Sequence, residues 1–257
     1  MVNKILTEKN ITIVLIVIVL YILFYFNING SPQKNVTDKI VDEPIITEKQ
    51  LINFNVIQNK DTLYLKDTLA LIKVRSEEIK QEIFKGKKIN PKSKKFIEDL
   101  IRVSLEEEYL LGISAPIKIA QAIIESGWGK DNIAVSHNNY FGIKNKQYYN
   151  EKEKKLVGAP VSLMTHEYDK NLKRYNTRAN FISYETRWAS IRHHSLFLEH
   201  QMNVSSRQGY RKLKNLNPRN YVAWALCLQD AGYATSPVYA AKLINIIRQY
   251  NLHKVKL

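Results

Sequence analysis

The sequence predicts a mainly α protein: a helical domain with a small β-hairpin lobe, preceded by a transmembrane helix and a stem. Three observations predict it. Residues 11–26, ITIVLIVIVLYILFYF, carry no charge. Between residues 92 and 254 apolar side chains recur mostly at helical spacing. Inside that region Leu156–Phe181 instead alternates and is β-branched, with Gly158, Pro160 and Asn171 as breakers, which reads as a short hairpin or irregular lobe. The composition is that of a globular chain, with 257 residues, 45% hydrophobic and 25% charged, so wholesale disorder is excluded. A single cysteine, Cys227, excludes an internal disulfide framework and a Cys-rich zinc site.

The first element is the anchor. A helix over residues 11–28 spans about 27 Å, close to the hydrocarbon thickness of a bilayer. Thr12 is the one polar side chain of the run, and Tyr21 and Tyr25 approach its far end. A cleaved signal peptide is the other reading, but the run exceeds the usual apolar length and no small-residue cleavage site follows. Lys4 and Lys9 precede the span and Lys34 is the nearest basic residue after it, which places residues 1–10 in the cytoplasm.

The stem is assigned to residues 29–91. Ser31-Pro32 and Glu43-Pro44 break regular structure early, and Leu63, Leu65, Leu69, Ile72, Ile79 and Ile83 then recur loosely among charges. It reads as a spacer, with a coiled-coil segment as the second option. The domain follows over 92–257. Residues 91–257 hold 26 basic and 14 acidic side chains, most of the chain's net +15. Such an excess suits an anionic partner. The basic residues are scattered without a recognition helix or zinc site, so a nucleic-acid partner is not predicted.

Within the domain, Lys94–Leu111 predicts a helix with Phe96, Ile97, Leu100, Ile101, Val103 and Leu105 on its apolar face. Ser114-Ala115-Pro116 opens the next, with Ser114 as cap. Ile117, Ile119, Ala120, Ile123 and Ile124 make that helix apolar nearly all round, hence buried, and Gly127 and Gly129 end it. Trp188, Ile191, Ser195 and Leu198 mark a further helix; Tyr221, Ala225 and Leu228 another. Ser236-Pro237 caps a last one, with Leu243, Ile246, Ile247 and Tyr250 inward.

Glu125 closes the buried helix and is followed by Ser126-Gly127-Trp128-Gly129. Desolvation, the apolar Trp128 and the negative end of the helix dipole all favour a protonated carboxyl. A carboxyl that keeps its proton near neutral pH is what a glycosidase uses to protonate a leaving oxygen. The bland reading is a solvated Glu paired with Lys118 or Lys130. His137-Asn138-Asn139-Tyr140-Phe141-Gly142-Ile143-Lys144 then joins amides, which hydrogen-bond sugar substituents, to aromatics, which stack on sugar rings. Alone, that segment is equally an ordinary turn entering a strand. The six histidines show no metal-ligand spacing, and His193 and His194, being adjacent, point to different helix faces. Cys227, beside Trp224, reads as core. No metal and no cofactor is predicted.

Ala120-Gln121-Ala122-Ile123-Ile124-Glu125-Ser126-Gly127-Trp128-Gly129-Lys130 followed by Asn138-Asn139-Tyr140-Phe141-Gly142-Ile143-Lys144 resembles the core of glycoside hydrolase family 73, bacterial peptidoglycan β-N-acetylglucosaminidases. The resemblance continues through Thr165-His166-Glu167-Tyr168, Phe181-Ile182-Ser183-Tyr184 and Gly232-Tyr233-Ala234-Thr235, and covers about residues 92–254. It implies a lysozyme-like α+β fold with a small β-lobe. It also implies Glu125 as general acid, Glu167 as a second catalytic carboxylate on the lobe, and Tyr233 lining the cleft. Trp128, Asn139, Tyr140 and Phe141 are the expected sugar contacts. Tyr140, Asp131 and Ser236 depart from residues frequent in the family, which puts one loop contact in doubt at Asp131.

The expected activity is therefore that of a membrane-anchored peptidoglycan hydrolase cutting the β-1,4 bond between N-acetylglucosamine and N-acetylmuramic acid. The anchor would be single-pass in a bacterial inner or cytoplasmic membrane, with the domain in the periplasm or outside the cell. A lytic transglycosylase on the same fold and a non-catalytic wall-binding module are the competing readings.

Overall fold

The computed structural model describes residues 62–144, 160–168 and 173–257. The anchor expected over 11–28 and the stem before residue 62 lie outside the described residues. Among the described residues no helix is long and apolar enough to cross a membrane.

Helix α1 (Thr62–Ile83) runs through the segment assigned to the stem. Ile72, Ile79 and Ile83 on it are at most 1% exposed and belong to the same apolar core as the domain. The spacer reading is thus corrected for these residues, and the core-forming unit begins well before residue 92. The three side chains recur every seven or four positions and meet helix α2 (Pro91–Leu111). Helix α2 starts earlier than its apolar pattern because Asn90 accepts a 2.9 Å hydrogen bond from the Lys92 amide and Pro91 occupies the first turn.

Helix α3 (Ala115–Glu125) is the buried centre. Ser114 precedes it, as predicted, but its hydroxyl makes no cap bond. The carboxylate of Glu108 takes that place, accepting from the Ala115 amide at 2.8 Å. A short helix α4 (Asn132–His137) follows, then the hairpin β1 (Pro160–Tyr168) and β2 (Arg174–Ile182). The strands pair antiparallel with Pro160 opposite Ile182 and Glu167 opposite Tyr175, forming the predicted lobe.

Helices α5 (Arg187–Val204), α6 (Gln208–Leu213), α7 (Tyr221–Asp230) and α8 (Tyr239–Gln249) complete the helical body, followed by a 3-10 turn Leu252–Lys254. Leu243 and Ile247 of α8 are fully buried, while Ile246 and Tyr250 pack only partly. Trp224 is buried at the core and its neighbour Cys227 is half-buried, with a thiol pKa raised by desolvation. Helices α2, α7 and α8 all pack on α3, which therefore sits between them with its carboxyl-terminal end facing the lobe side of the molecule.

Candidate active site

The end of α3 is a run of left-handed backbone. Gly127, Trp128 and Gly129 have φ of +53°, +65° and +71°. At Gly129 the turn is also crowded: a Cβ there would lie 2.7 Å from the Phe96 ring. Ser126 ties the turn by donating to the Ala122 carbonyl and accepting from the Gly129 amide at 2.8 Å. This chain reversal leaves Glu125 as the last side chain of the helix, on the wall of a cleft of about 1550 Å³.

The other walls come from the body and the lobe. Phe141, Leu163, Phe181, His194 and Tyr233 line the cleft together with Glu125. Two of the expected sugar contacts, Phe141 and Tyr233, are thus brought to the same cavity as the expected acid. Trp128, Asn139 and Tyr140 do not line it. The left-handed turn carries Trp128 into an aromatic cluster, edge-on to Phe96 at 6.0 Å and to Tyr250 at 5.1 Å. Tyr140 stacks on Phe96 at 6.1 Å. Asn139 is fully buried. Its amide donates to the carbonyls of Ile143 and Ile182 at 3.0 and 2.8 Å, and its oxygen accepts from the Ile143 amide at 3.0 Å. It joins the Asn139–Ile143 loop to the end of β2, with both donor hydrogens spent inside the fold. Glu167 lies on β1, five residues after Ser162 and paired in register with Tyr175.

The electrostatics centre on Glu125. Its carboxyl is pushed up to about 7, chiefly by burial; a hydrogen bond from Tyr239 and the nearby Lys242 pull the other way. Tyr239 Oη donates to Glu125 Oε1 at 2.7 Å. Gln121, one turn earlier on α3, donates to Tyr239 Oη at 3.1 Å. Because Tyr239 has a single proton and its oxygen already accepts from Gln121, that proton is directed to Glu125. One carboxyl oxygen is thereby engaged, and the acidic proton is left to the other. Burial and the Glu125 charge hold the Tyr239 and Tyr233 hydroxyls well above the ordinary tyrosine range, so both stay donors.

Gln121 and Tyr239 had no role assigned from sequence. The signal was there: Gln121 and Lys118 are the polar exceptions on a helix otherwise apolar all round, and Gln121 precedes Glu125 by four residues. Lys118 does not pair with Glu125. It turns to His194, with Nζ 2.7 Å from Nδ1. His193 meets the Tyr184 hydroxyl at 2.6 Å, so the adjacent histidines do face different partners. Among the described residues no three His, Cys, Asp or Glu side chains gather as a metal site.

Residues 103–252 match the family model described as mannosyl-glycoprotein endo-β-N-acetylglucosaminidase. The chain is 37% identical over 136 residues to the exo-glucosaminidase LytG of Bacillus subtilis, covering 53% of this chain and 44% of that protein. It is 30% identical over 179 residues to the peptidoglycan hydrolase FlgJ of Pseudomonas aeruginosa, covering 66% and 40%. The crystal structure of the catalytic domain of the autolysin Auto from Listeria monocytogenes matches with a TM-score of 0.52 at 26% identity, over 70% of this chain and 97% of that one. The chain spans less than half the length of these two curated relatives.

Proposed function

Since the chain belongs to the mannosyl-glycoprotein endo-β-N-acetylglucosaminidase family, we propose that it is a peptidoglycan hydrolase cleaving the β-1,4 bond between N-acetylglucosamine and N-acetylmuramic acid. The observation that carries this reading is a carboxyl group, Glu125, held near pKa 7 on the wall of a large cleft. Such a group is half protonated at neutral pH and can act as a general acid. The names of the relatives, a glucosaminidase and peptidoglycan hydrolases, support the substrate class.

In the proposed reaction Glu125 transfers its proton to the glycosidic oxygen as the bond from that oxygen to the anomeric carbon breaks. The sugar becomes oxocarbenium-like. Two completions fit. Glu167 takes a proton from water attacking the opposite face, which inverts the anomeric carbon and suits carboxyls ~6.5–9.5 Å apart. Otherwise the substrate's own 2-acetamido oxygen attacks first and water opens the product. Phe141 and Tyr233 supply an apolar edge and a hydroxyl donor for the bound sugars.

Residues 11–28 are proposed to hold the catalytic unit at a bacterial membrane, with the amino terminus inside. The net positive charge of residues 91–257 then keeps the domain close to anionic envelope polymers.

The experiment is digestion of purified sacculi followed by mass spectrometry. Fragments ending in reducing N-acetylglucosamine are expected. Fragments ending in 1,6-anhydro-muramic acid would assign a lytic transglycosylase instead, and no release with retained binding would assign a wall-binding module. Glu125→Gln should lower turnover by about 10²–10⁴-fold, the scale of a general acid; full turnover by that variant would remove Glu125 from the chemistry. Glu167→Gln should also cause a large loss if it activates water.

A further inference from the structure

Two polar side chains to which the proposed reaction gives no role, Lys118 and His194, lead up to Tyr233 on the cleft wall. Lys118 is 0% exposed at the middle of α3. Its Nζ is 2.7 Å from His194 Nδ1 and 5.2 Å from the centre of the Phe141 ring. His194 Nε2 is 2.8 Å from the hydroxyl of Tyr233. The imidazole lies flat on Phe141, with ring centres 3.9 Å apart and planes within 4°. These contacts thus run from a wholly buried amine, through a clamped imidazole, to a hydroxyl on the cleft wall.

We propose that Lys118 is a positioning residue: its amine donates to His194 Nδ1, fixes the Nε2–H tautomer, and so makes Tyr233 accept from His194 and aim its own proton into the cleft. The inference rests on the reading of the cleft as the sugar site.

The logic is one of donors. A buried amine costs several kcal/mol unless it finds a partner, so a lysine retained at the centre of a helix otherwise suited to apolar residues calls for a use. As an ammonium its nitrogen has only hydrogens to offer, so the imidazole nitrogen facing it is the acceptor; this holds below the amine's pKa, which burial brings down to about 7. The remaining ring hydrogen sits on Nε2 and points at Tyr233. Stacking on Phe141 stops the ring from turning to evade this. A tyrosine oxygen that accepts from His194 keeps its hydrogen for a sugar oxygen on the cleft side. Without Lys118 the neutral ring could carry its hydrogen on Nδ1. Tyr233 would then donate to Nε2, and the cleft would lose a donor. Burial together with the Lys118 charge holds His194 well below its ordinary pKa, which agrees with a neutral imidazole that has a tautomer to choose. Of the other charges acting on Lys118, Glu107 favours its ammonium and Arg192 opposes it, and these two are paired with each other at 3.1 Å.

The test combines nitrogen NMR with kinetics on the full-length chain. Histidine is labelled with ¹⁵N, and the His194 signals are assigned by their loss in a His194→Asn variant. In the wild type at pH 6, where Lys118 is charged, the Nε2–H tautomer is expected. Lys118→Met should convert His194 partly or wholly to Nδ1–H and lower kcat on solubilised glycan strands by about ten- to a hundredfold, with KM little changed. Lys118→Gln, whose amide still donates to Nδ1, should keep the tautomer and most of the rate. A wild-type Nδ1–H tautomer would overturn the assignment, as would a Lys118→Gln enzyme as slow as Lys118→Met. If Lys118→Met does not fold, the wild-type tautomer and the Lys118→Gln rate still decide. A wild-type chain with no activity on peptidoglycan would sink the proposed function, yet the tautomer would still report on Lys118.

Discussion

Tyr239 on α8 donates its hydroxyl proton to Glu125 at the end of α3, across 2.7 Å and 114 residues of sequence. This bond stabilises the ionised carboxylate and so opposes the burial that raises its pKa. Tyr239→Phe removes the opposing effect. The carboxyl should then hold its proton to higher pH, and the alkaline limb of the kcat profile should move upward by about one unit, the equivalent of one ordinary hydrogen bond. A pH–rate series for wild type and variant on solubilised glycan strands measures this. A limb that stays in place, or moves to lower pH, would show that the limb does not belong to Glu125.

Glu125 also couples stability to pH. Its ordinary pKa is 4.5 and its folded value about 7. Between these values the folded protein holds a proton that the unfolded chain has lost, so stability is fully present below 4.5 and declines as pH rises towards 7. Glutamine has no proton to lose. Glu125→Gln should therefore leave stability near wild type at pH 4 and raise it at pH 8, by about 3 kcal/mol. Thermal unfolding of both proteins at the two pH values checks it. A variant less stable than wild type at pH 8 would contradict a desolvated carboxylate.

Asn139, an expected sugar contact, is fully buried and makes its hydrogen bonds within the fold. Both donor hydrogens and the oxygen are used within the fold, on Ile143 and Ile182. Asn139→Ala takes the side-chain partner from the Ile143 amide and the Ile182 carbonyl, while the Ile143 carbonyl keeps the Ile182 amide at 3.0 Å, and it should cost about 2–4 kcal/mol, read by urea unfolding. KM for glycan strands, measured on the folded fraction, should stay near wild type. Intact stability with lost affinity would return Asn139 to the sugar site.

The same contrast runs through the molecule. Long helices were legible because their apolar positions repeat, and the buried α3 announced itself by having no polar face except Lys118, Gln121 and Glu125. The β-hairpin was legible from alternation. Helices α4 and α6, six residues each, are too short to show a period. Trp128 looked like a sugar platform because its type fits one. What decides its direction is a φ of +65°, a property of the turn, which turns the indole towards Phe96 and Tyr250. Long-range partners such as Tyr239 for Glu125 and His194 for Lys118 depend on how helices meet, and spacing along one helix does not encode that.

The place where the folding unit begins follows from α1. Ile72, Ile79 and Ile83 are each at most 1% exposed, and Phe84 just after them is 8% exposed. The Asn251 side chain donates to the Ile83 carbonyl at 3.1 Å, and Lys87 Nζ donates to the Gln249 carbonyl at 2.6 Å. The segment is thus fastened to the far end of the chain by side-chain hydrogen bonds as well as by packing. At about 1.5–3 kcal/mol for each buried isoleucine, deleting the helix forfeits roughly 5–9 kcal/mol, comparable with the whole stability of an ordinary domain. A fragment of residues 91–257, cut at the boundary that composition alone suggests, should therefore be unfolded or aggregated at 25 °C. A fragment of residues 61–257 should unfold cooperatively and keep full turnover on solubilised glycan strands. Circular dichroism and gel filtration of the two fragments compare them directly, and a cooperative, active 91–257 fragment would show that α1 is dispensable packing.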